Sequence, residues 1–416
     1  MLNLKTNKNM KGRRLLIIGL MGLLVSCSNT PQSAKLCTVD VEGAMENSGE
    51  LKLSELASDV RYVPLETTDS CLIGANPNIL LLDKQIVVYS NKECLLFNKA
   101  DGKFLCRLGH GGDDPEAYSY PVPFYNEHNE MFYFKREPEW LQKYDASGRY
   151  QGKLKIPTPP AMPSEFGFMD SLVIGHYNNI AMGYAPRALL LFNEKGEEVD
   201  TVPSLLPVLS KKEVSDIDNI NVKRLGDMMI VLTRFKDGGY MAGIGGRTFL
   251  WNSKGETRFK ESFNDTAFTV RRSELAPYIV FKTGKWHWGA EARTDSKDNE
   301  KRLLIGEVFE SSQAIFFQCI CGLYTNEPEM LNGIYNRKSG MTYMSPEKNG
   351  IIDNINGFMP FHPKACSPQG EYAGLVEAGE AMDWLKEHSE LARNSKFSVL
   401  KGLTEDDNPV VVIAKP

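Results

Sequence analysis

Histidine is scarce in this chain of 416 residues, and none of it is paired. His110, His128, His176, His287, His362 and His388 never recur at i, i+2 or i, i+4, and no HExxH occurs, so their spacing offers no local zinc site. There is no GxSxG nucleophile elbow and no P-loop; the short-range signatures of a serine hydrolase and of a nucleotide triphosphatase are therefore missing. "GIGGR" at residues 243–247 lacks the strand–helix context of a dinucleotide loop and is expected to be a turn. The net charge is only −5 and no basic run follows Arg14, which gives no electrostatic case for nucleic acid. Long helical patterns are nearly absent between residues 51 and 370. No cofactor and no metal site is expected.

The one strongly apolar run, "LLIIGLMGLLV" at residues 15–25, is eleven residues long, too short to cross a bilayer. Lys11, Arg13 and Arg14 precede it, the order of a secretory signal peptide. It ends in "LVSC", and this resembles the bacterial lipobox, which implies cleavage before Cys27 and acylation of that cysteine. The expected layout is a signal peptide over 1–26 and a flexible tether over 27–50. A secreted protein cut nearby, with Cys27 incidental, is the competing reading. Seven further cysteines remain, an odd number that leaves at least one thiol unpaired. Cys94 and Cys106 flank the turn of one hairpin about equally and are a candidate cross-strand disulfide; two free thiols filling the strands is the alternative.

What the chain has in abundance is one hairpin, repeated. "LLFNKADGKFLCRLG" begins at Leu95, and variants begin at Leu141, Leu189, Thr248 and Leu331. Each is an apolar strand, an Asn or Asp, a few polar residues, a Gly and a second strand, the pattern of a tight β-turn. The turn glycines, Gly102, Gly148, Gly196, Gly255 and Gly340, are 46, 48, 59 and 85 residues apart. The first two intervals match a four-stranded propeller blade. The third fits a blade with a longer loop, and the last fits two blades or one blade with an insertion.

An all-β propeller of about six four-stranded blades over residues 51–370 is therefore expected, with seven as the nearest alternative count and an irregular β-sandwich as the alternative fold. Residues 59–67, "DVRYVPLET", are placed to close the last blade. Leu375, Ala378, Met382 and Leu385 share one helical face. A short helix and final strand over 371–416 are expected to pack on the propeller.

"ELASDVRYVPLETTDSCLIG", "LLFNKADGKFLCRLGHGGDDPEAY", "FNDTAFTV" and "DDNPVVVIAK" together resemble the six-bladed β-propeller lipoproteins of Bacteroides and relatives, a family similar to NHL propellers in blade design and without a defined activity. The resemblance implies a membrane-anchored cell-envelope protein. The acidic cluster that surface-exported lipoproteins of that group often carry after the cysteine is missing here, which favours the periplasmic face. Where family members commonly carry a Gly-Pro-Gly-Glu-Tyr-like loop, this chain has "GGDDPEAY", without the glycine between proline and glutamate, so any family ligand role for the loop is in doubt.

Candidate site residues follow from side-chain chemistry. Asp113, Asp114 and Glu116 supply oxygens and Tyr118 an aromatic ring in that loop, beside the aromatic stretch at 118–125. "KWHWGAEAR" sets Trp286 and Trp288 on one side of an extended segment and His287 on the other, a geometry suited to stacking on a sugar or burying against a protein. Packing of the same aromatics between blades is the plainer alternative. The leading expectation is a non-catalytic binding or scaffold module with a protein or glycan partner. The alternative is a lyase or hydrolase of peptide or glycan with its site at the central channel, since 53 acidic residues leave room for a carboxylate pair.

Overall fold

The computed structural model describes residues 36–157, 162–178, 187–207, 212–226, 228–245, 249–294 and 301–416. The signal peptide, Cys27 and the first part of the tether lie outside these residues.

Runs such as "LLF" and "AIFFQCIC" are apolar on both parities rather than alternating, with Gln318 the one polar residue, the mark of strands covered on both faces. The packing shows why. In the strand Cys94–Asn98, Leu95 enters one core cluster and Leu96 another. In Ala314–Cys321, Phe316 and Phe317 likewise part company. Successive side chains point to opposite faces of a strand, so each sheet must be sandwiched between two others. Closing a ring satisfies that demand for every sheet at once.

Six sheets form the ring. Blade 1 comprises Asn78–Leu81, Gln85–Tyr89, Cys94–Asn98 and Phe104–Arg107. Blade 2 comprises Phe124–Asn126, Met131–Arg136, Trp140–Tyr144 and Tyr150–Lys155. Blade 3 comprises Glu165–Met169, Leu172–His176, Arg187–Asn193 and Glu198–Pro203. Blade 4 is built from Leu250–Ser253, Glu256–Phe259, Thr266–Arg271 and Glu274–Lys282. Blade 5 is built from Leu303–Glu310, Ala314–Cys321, Glu329–Asn336 and Thr342–Pro346. Blade 6 takes Ala365–Cys366, Tyr372–Val376 and Val410–Lys415 from the end of the chain and Asp59–Pro64 from near its start. Each interface between blades holds its own apolar cluster, such as Tyr133, Phe168 and Phe192 between blades 2 and 3 or Phe316, Tyr372 and Val412 between blades 5 and 6. The expected closing strand is in place: Asp59–Pro64 pairs antiparallel with Val410–Lys415 along its whole length.

The glycine spacing has a packing cause. Gly102, at φ +73°, ends the outer hairpin of blade 1, and a Cβ there would lie 1.9 Å from the carbonyl oxygen of Pro64, on the outer strand of blade 6. Gly148 repeats the contact one blade on, against the Arg107 carbonyl at 2.3 Å. A left-handed turn docked on its neighbour's backbone admits only glycine. Gly255 breaks the series because it turns the first hairpin of blade 4, not the outer one, and its Cβ position is open.

Four expectations need correction. The interval after Gly196 hides a separate three-stranded sheet, Ile217–Leu225, Met228–Phe235 and Tyr240–Gly245, inserted between blades 3 and 4. Where the tether over 27–50 enters the described residues it is structured: Cys37–Asp40 pairs in parallel with the outer strand of blade 4, and the helix Val41–Glu46 follows, with Val39 and Val41 buried. Those apolar side chains cover an edge that a four-stranded blade would leave open. The segment 371–416 does not pack on a finished propeller but supplies two strands of blade 6, so the ring runs past residue 370. Leu375 belongs to one of those strands, and the helix Ala378–Glu387 buries Ala378 and Ala381 and sets Trp384 edge-on against Phe358.

Candidate functional site

The first strand of every blade faces the ring axis. Together these strands line a cavity of about 660 Å³, with Ile79, Phe124, Phe166, Trp251, Phe309 and Cys366 each from a different blade. Antiparallel order puts the links between successive blades at one end of the ring. At that end Arg224, Met228 and Met229 of the inserted sheet also line the cavity.

Two carboxylates of the lining are held by the protein itself. Glu310, with its side chain 1% exposed, accepts from Arg337 at 2.9 Å, Tyr278 Oη at 2.9 Å, Trp251 Nε1 at 3.2 Å and Arg258 Nε at 3.4 Å. The Arg258 guanidinium also lies 3.7 Å from the centre of the Tyr278 ring. A buried carboxylate with this many charged and neutral donors is costly to strip of one partner. Glu165 accepts from the backbone N–H of Phe249 at 3.0 Å and stands 3.7 Å from Nδ1 of the buried His176, whose Nε2 is 3.8 Å from Glu261. Burial pushes the His176 imidazolium down, but these two carboxylates outweigh it and hold its pKa up at about 9. The neighbouring Lys260 is buried and donates to the carbonyls of Ile305 and Glu261. Burial lowers its ammonium to about 8. Glu127, also in the lining, has its carboxyl raised by burial. Chemically, the cavity is an aromatic and aliphatic shaft with ionic groups locked into its wall. Among the described residues no group of three or more His, Cys, Asp or Glu side chains is arranged to hold a metal.

The residues nominated from sequence lie elsewhere. Both nominated loops are links between blades, at the same end of the ring, but none of their nominated residues lines the cavity. Trp288 is fully buried, edge-on to Phe263 at 5.7 Å and to Tyr324 at 5.5 Å. It is a core residue with no face left for a ligand, which corrects its assignment. The segment is not extended: a 3-10 turn at Gly284–Trp286 ends on the first indole, and the two indoles enter different apolar clusters. Trp286 is half-buried against the cluster that contains Val41, and its loop is fastened by Lys285, whose N–H donates to Glu42 and whose ammonium donates to Glu46. His287 is exposed, with Nδ1 2.6 Å from Asp265.

In the other loop, Asp113, Asp114 and Glu116 are exposed, whereas Tyr118 is buried and stacked on Phe134 at 4.6 Å. Tyr118 is thus a wedge at the interface between blades 1 and 2. Blade 2 grips the loop by its carbonyls: Arg136 donates to those of Gly112, Asp113 and Ala117, Gln142 to that of Pro115, and Tyr144 to that of Glu116. Asp114 accepts from His110 at 2.7 Å, which with backbone N–H donors lowers its carboxyl pKa.

Cys94 and Cys106 are free thiols. A register shift after Leu96 sets Cys106 opposite Leu96, while the Leu108 N–H reaches the Cys94 carbonyl. The two cysteines are diagonal neighbours, about 7–8 Å apart in an ideal ladder and beyond disulfide reach.

Sequence reasoning missed Glu310, Arg258 and Lys260. For Glu310 the signal was available, a carboxylate at the end of the apolar strand "LLIGEVFE" where burial demands partners; Arg258 and Lys260 stand in the polar stretch "ETRFK", which gives no such signal.

A family model described as Domain of unknown function (DUF4934) matches residues 36–415. A solved structure of a candidate exported protein from Bacteroides fragilis NCTC 9343 superposes with a TM-score of 0.59 at 14% identity, covering 91% of this chain and 99% of that one. The WD40 repeats of RRP9 align at 10% identity and a TM-score of 0.39, over 88% of this chain and 99% of that one. No curated protein matches.

Proposed function

This chain belongs to the DUF4934 family, and on that premise we propose that it is a lipid-anchored binding module of the cell envelope, on the periplasmic side, that takes a protein or glycan ligand at the axial cavity. The observation that carries the reading is the cavity wall: aromatic and aliphatic side chains of six blades converge on one space, while Glu310 and Glu165 are occupied by protein donors. Binding sites are commonly concave and apolar with a few fixed polar groups. Anchoring rests on the basic residues, apolar run and "LVSC" before Cys27.

The test uses the full-length chain in detergent against glycan fragments and peptides, read by thermal shift. A ligand that raises Tm in the native protein and loses most of that effect in Trp251→Ala supports the reading. A Cys27→Ser variant that still fractionates with membranes in acylated form removes the anchor. The enzyme alternative draws on Glu127, whose raised carboxyl suits a general acid. Conversion of any ligand to a new product, lost in Glu127→Gln, would replace binding with catalysis.

A further inference from the structure

The face of blade 6 that meets blade 1 changes character along its length. Val63, Val411 and Ile413 join Ile86 and Leu95 of blade 1 in one apolar cluster. Arg61 and Asp59 follow Val63 on that face, and Lys415 follows Ile413, because side chains alternate with a period of two. Antiparallel order puts this charged end away from the links between blades, together with the blade 1 turns at 82–84 and 99–103. There Asp59, Arg61, Asp83, Lys84, Lys99 and Lys415 line an open groove of about 550 Å³.

Its carboxylates are outnumbered. Asp59 accepts from Lys396 at 2.6 Å, and Glu371, also in the lining, accepts from Lys99. Arg61, Lys84 and Lys415 are exposed, and none forms an ion pair or a side-chain hydrogen bond with a described residue, although Lys415 stands opposite Asp59 in the strand register. With Lys396 included, five cations meet three carboxylates. Lys99 is only 5% exposed and donates to the Leu82 carbonyl and to Glu371. The third N–H of its ammonium has no acceptor among the described residues, and a buried donor left so is costly.

We propose that this groove binds a phosphate group, held by the planar fork of Arg61 and by Lys84 and Lys415 as point charges. A phosphate monoester carries nearly two negative charges at neutral pH, which matches the excess of two cations; a single carboxylate would leave one cation unanswered. The source of the phosphate, unlike the site, rests on the lipid anchor proposed above. Cys37–Asp40 runs parallel to the outer strand of blade 4, which leads into the link to blade 5, so the chain enters at the end of the ring where the groove lies. The ten residues from Cys27 to Leu36 reach at most about 35 Å. An acylated Cys27 therefore keeps the groove end near the bilayer, and the phosphate is that of a lipid headgroup.

Calorimetric titration of the full-length chain in neutral detergent tests the site with inorganic phosphate, at constant ionic strength and about pH 8, where phosphate is a dianion. The native chain should bind with a Kd of about 1 mM or tighter. Arg61→Gln, Lys84→Gln and Lys415→Gln should each weaken binding at least about tenfold, the loss of one charge-assisted hydrogen bond. Lys386→Gln, which removes the same charge from the helix Ala378–Glu387, should not. Asp83→Asn should tighten binding, because it removes a carboxylate that repels the anion. All five side chains are exposed, so the variants should melt like the native chain. Phosphatidate doped into the micelles should bind more tightly than inorganic phosphate, and phosphatidylcholine should not bind. A Kd for inorganic phosphate weaker than about 10 mM would overturn the site. So would unchanged affinity in the Arg61, Lys84 and Lys415 variants, or weaker binding in Asp83→Asn. Phosphatidate that binds no better than phosphatidylcholine, with inorganic phosphate still bound, would overturn the lipid source and assign the groove to a soluble phosphate.

Discussion

The blades and the inserted sheet are made of the same kind of hairpin, yet they bury it differently. A ring strand such as Ala314–Cys321 is apolar at both parities and is buried at seven of its eight positions. The outer strand of the insertion, Ile217–Leu225, carries five polar residues among its nine and has no buried position. One sheet lies between two neighbours; the other packs Met228 and Ile230 against Trp288 and Leu304 and leaves its edge to solvent. Hydrophobic pattern therefore reports the number of covered faces, and the cost of a substitution should track it.

The largest contrast is expected between Phe317→Ala and Val222→Ala. Phe317 is fully buried, edge-on to Phe281 at 5.3 Å and pressed against Gly333. Its truncation should cost about 3–5 kcal/mol in urea unfolding. Val222→Ala should stay within about 0.5 kcal/mol. Similar losses at the two sites would mean that the insertion is as integral to the core as a blade.

Next come the turn glycines. Gly102→Ala must place a Cβ against the Pro64 carbonyl and also adopt φ +73°, so it should lose at least about 2 kcal/mol, the left-handed backbone cost plus overpacking. Gly255→Ala meets only the backbone term at φ +75° and should lose about 1–2 kcal/mol. Equal effects would show that the docking of each outer hairpin on the preceding blade contributes nothing.

A smaller effect, confined to the ring, is read by pH. His176 holds its proton in the folded chain to about 9, against 6.5 when unpaired. Its contribution is fully present below pH 6.5 and is lost as pH rises through 9. Lys260, lowered from 10.5 to about 8, acts oppositely: its penalty persists below pH 8 and is relieved between 8 and 10.5. Between pH 6.5 and 8 the histidine dominates, and stability should fall by roughly 1–2 kcal/mol. Chemical unfolding across that window should show the slope in the native chain and not in His176→Gln. A native chain with flat stability there would dissolve the pairing of His176 with Glu165 and Glu261.

The smallest expected effect tests the corrected loop. Asp114→Asn removes the charge of an exposed partner of His110 and should leave the urea unfolding midpoint essentially unchanged. Arg136→Ala, which removes the Arg136 donor from the carbonyls of Gly112 and Asp113 and leaves that of Ala117 to Gln142 alone, should cost more than Asp114→Asn by the same measurement.

What the sequence by itself determined is the repeat. Apolar runs at both parities demanded sheets covered on two faces, glycine and Asn/Asp turns set their spacing, and residues 59–67 read as a strand placed to close the last blade. These are local requirements, written in each hairpin. The tertiary structure alone decided which hairpin Gly255 turns, that residues 37–40 cap blade 4 and that Cys94 and Cys106 of one hairpin stand diagonally rather than face to face. It also decided that Trp288 fills the core and that six unremarkable first strands enclose the cavity. Period-two patterning specifies that a side chain is on one face or the other. It does not specify which sheet arrives to cover that face, and burial, ion pairing and the shape of the channel are all properties of that arrival.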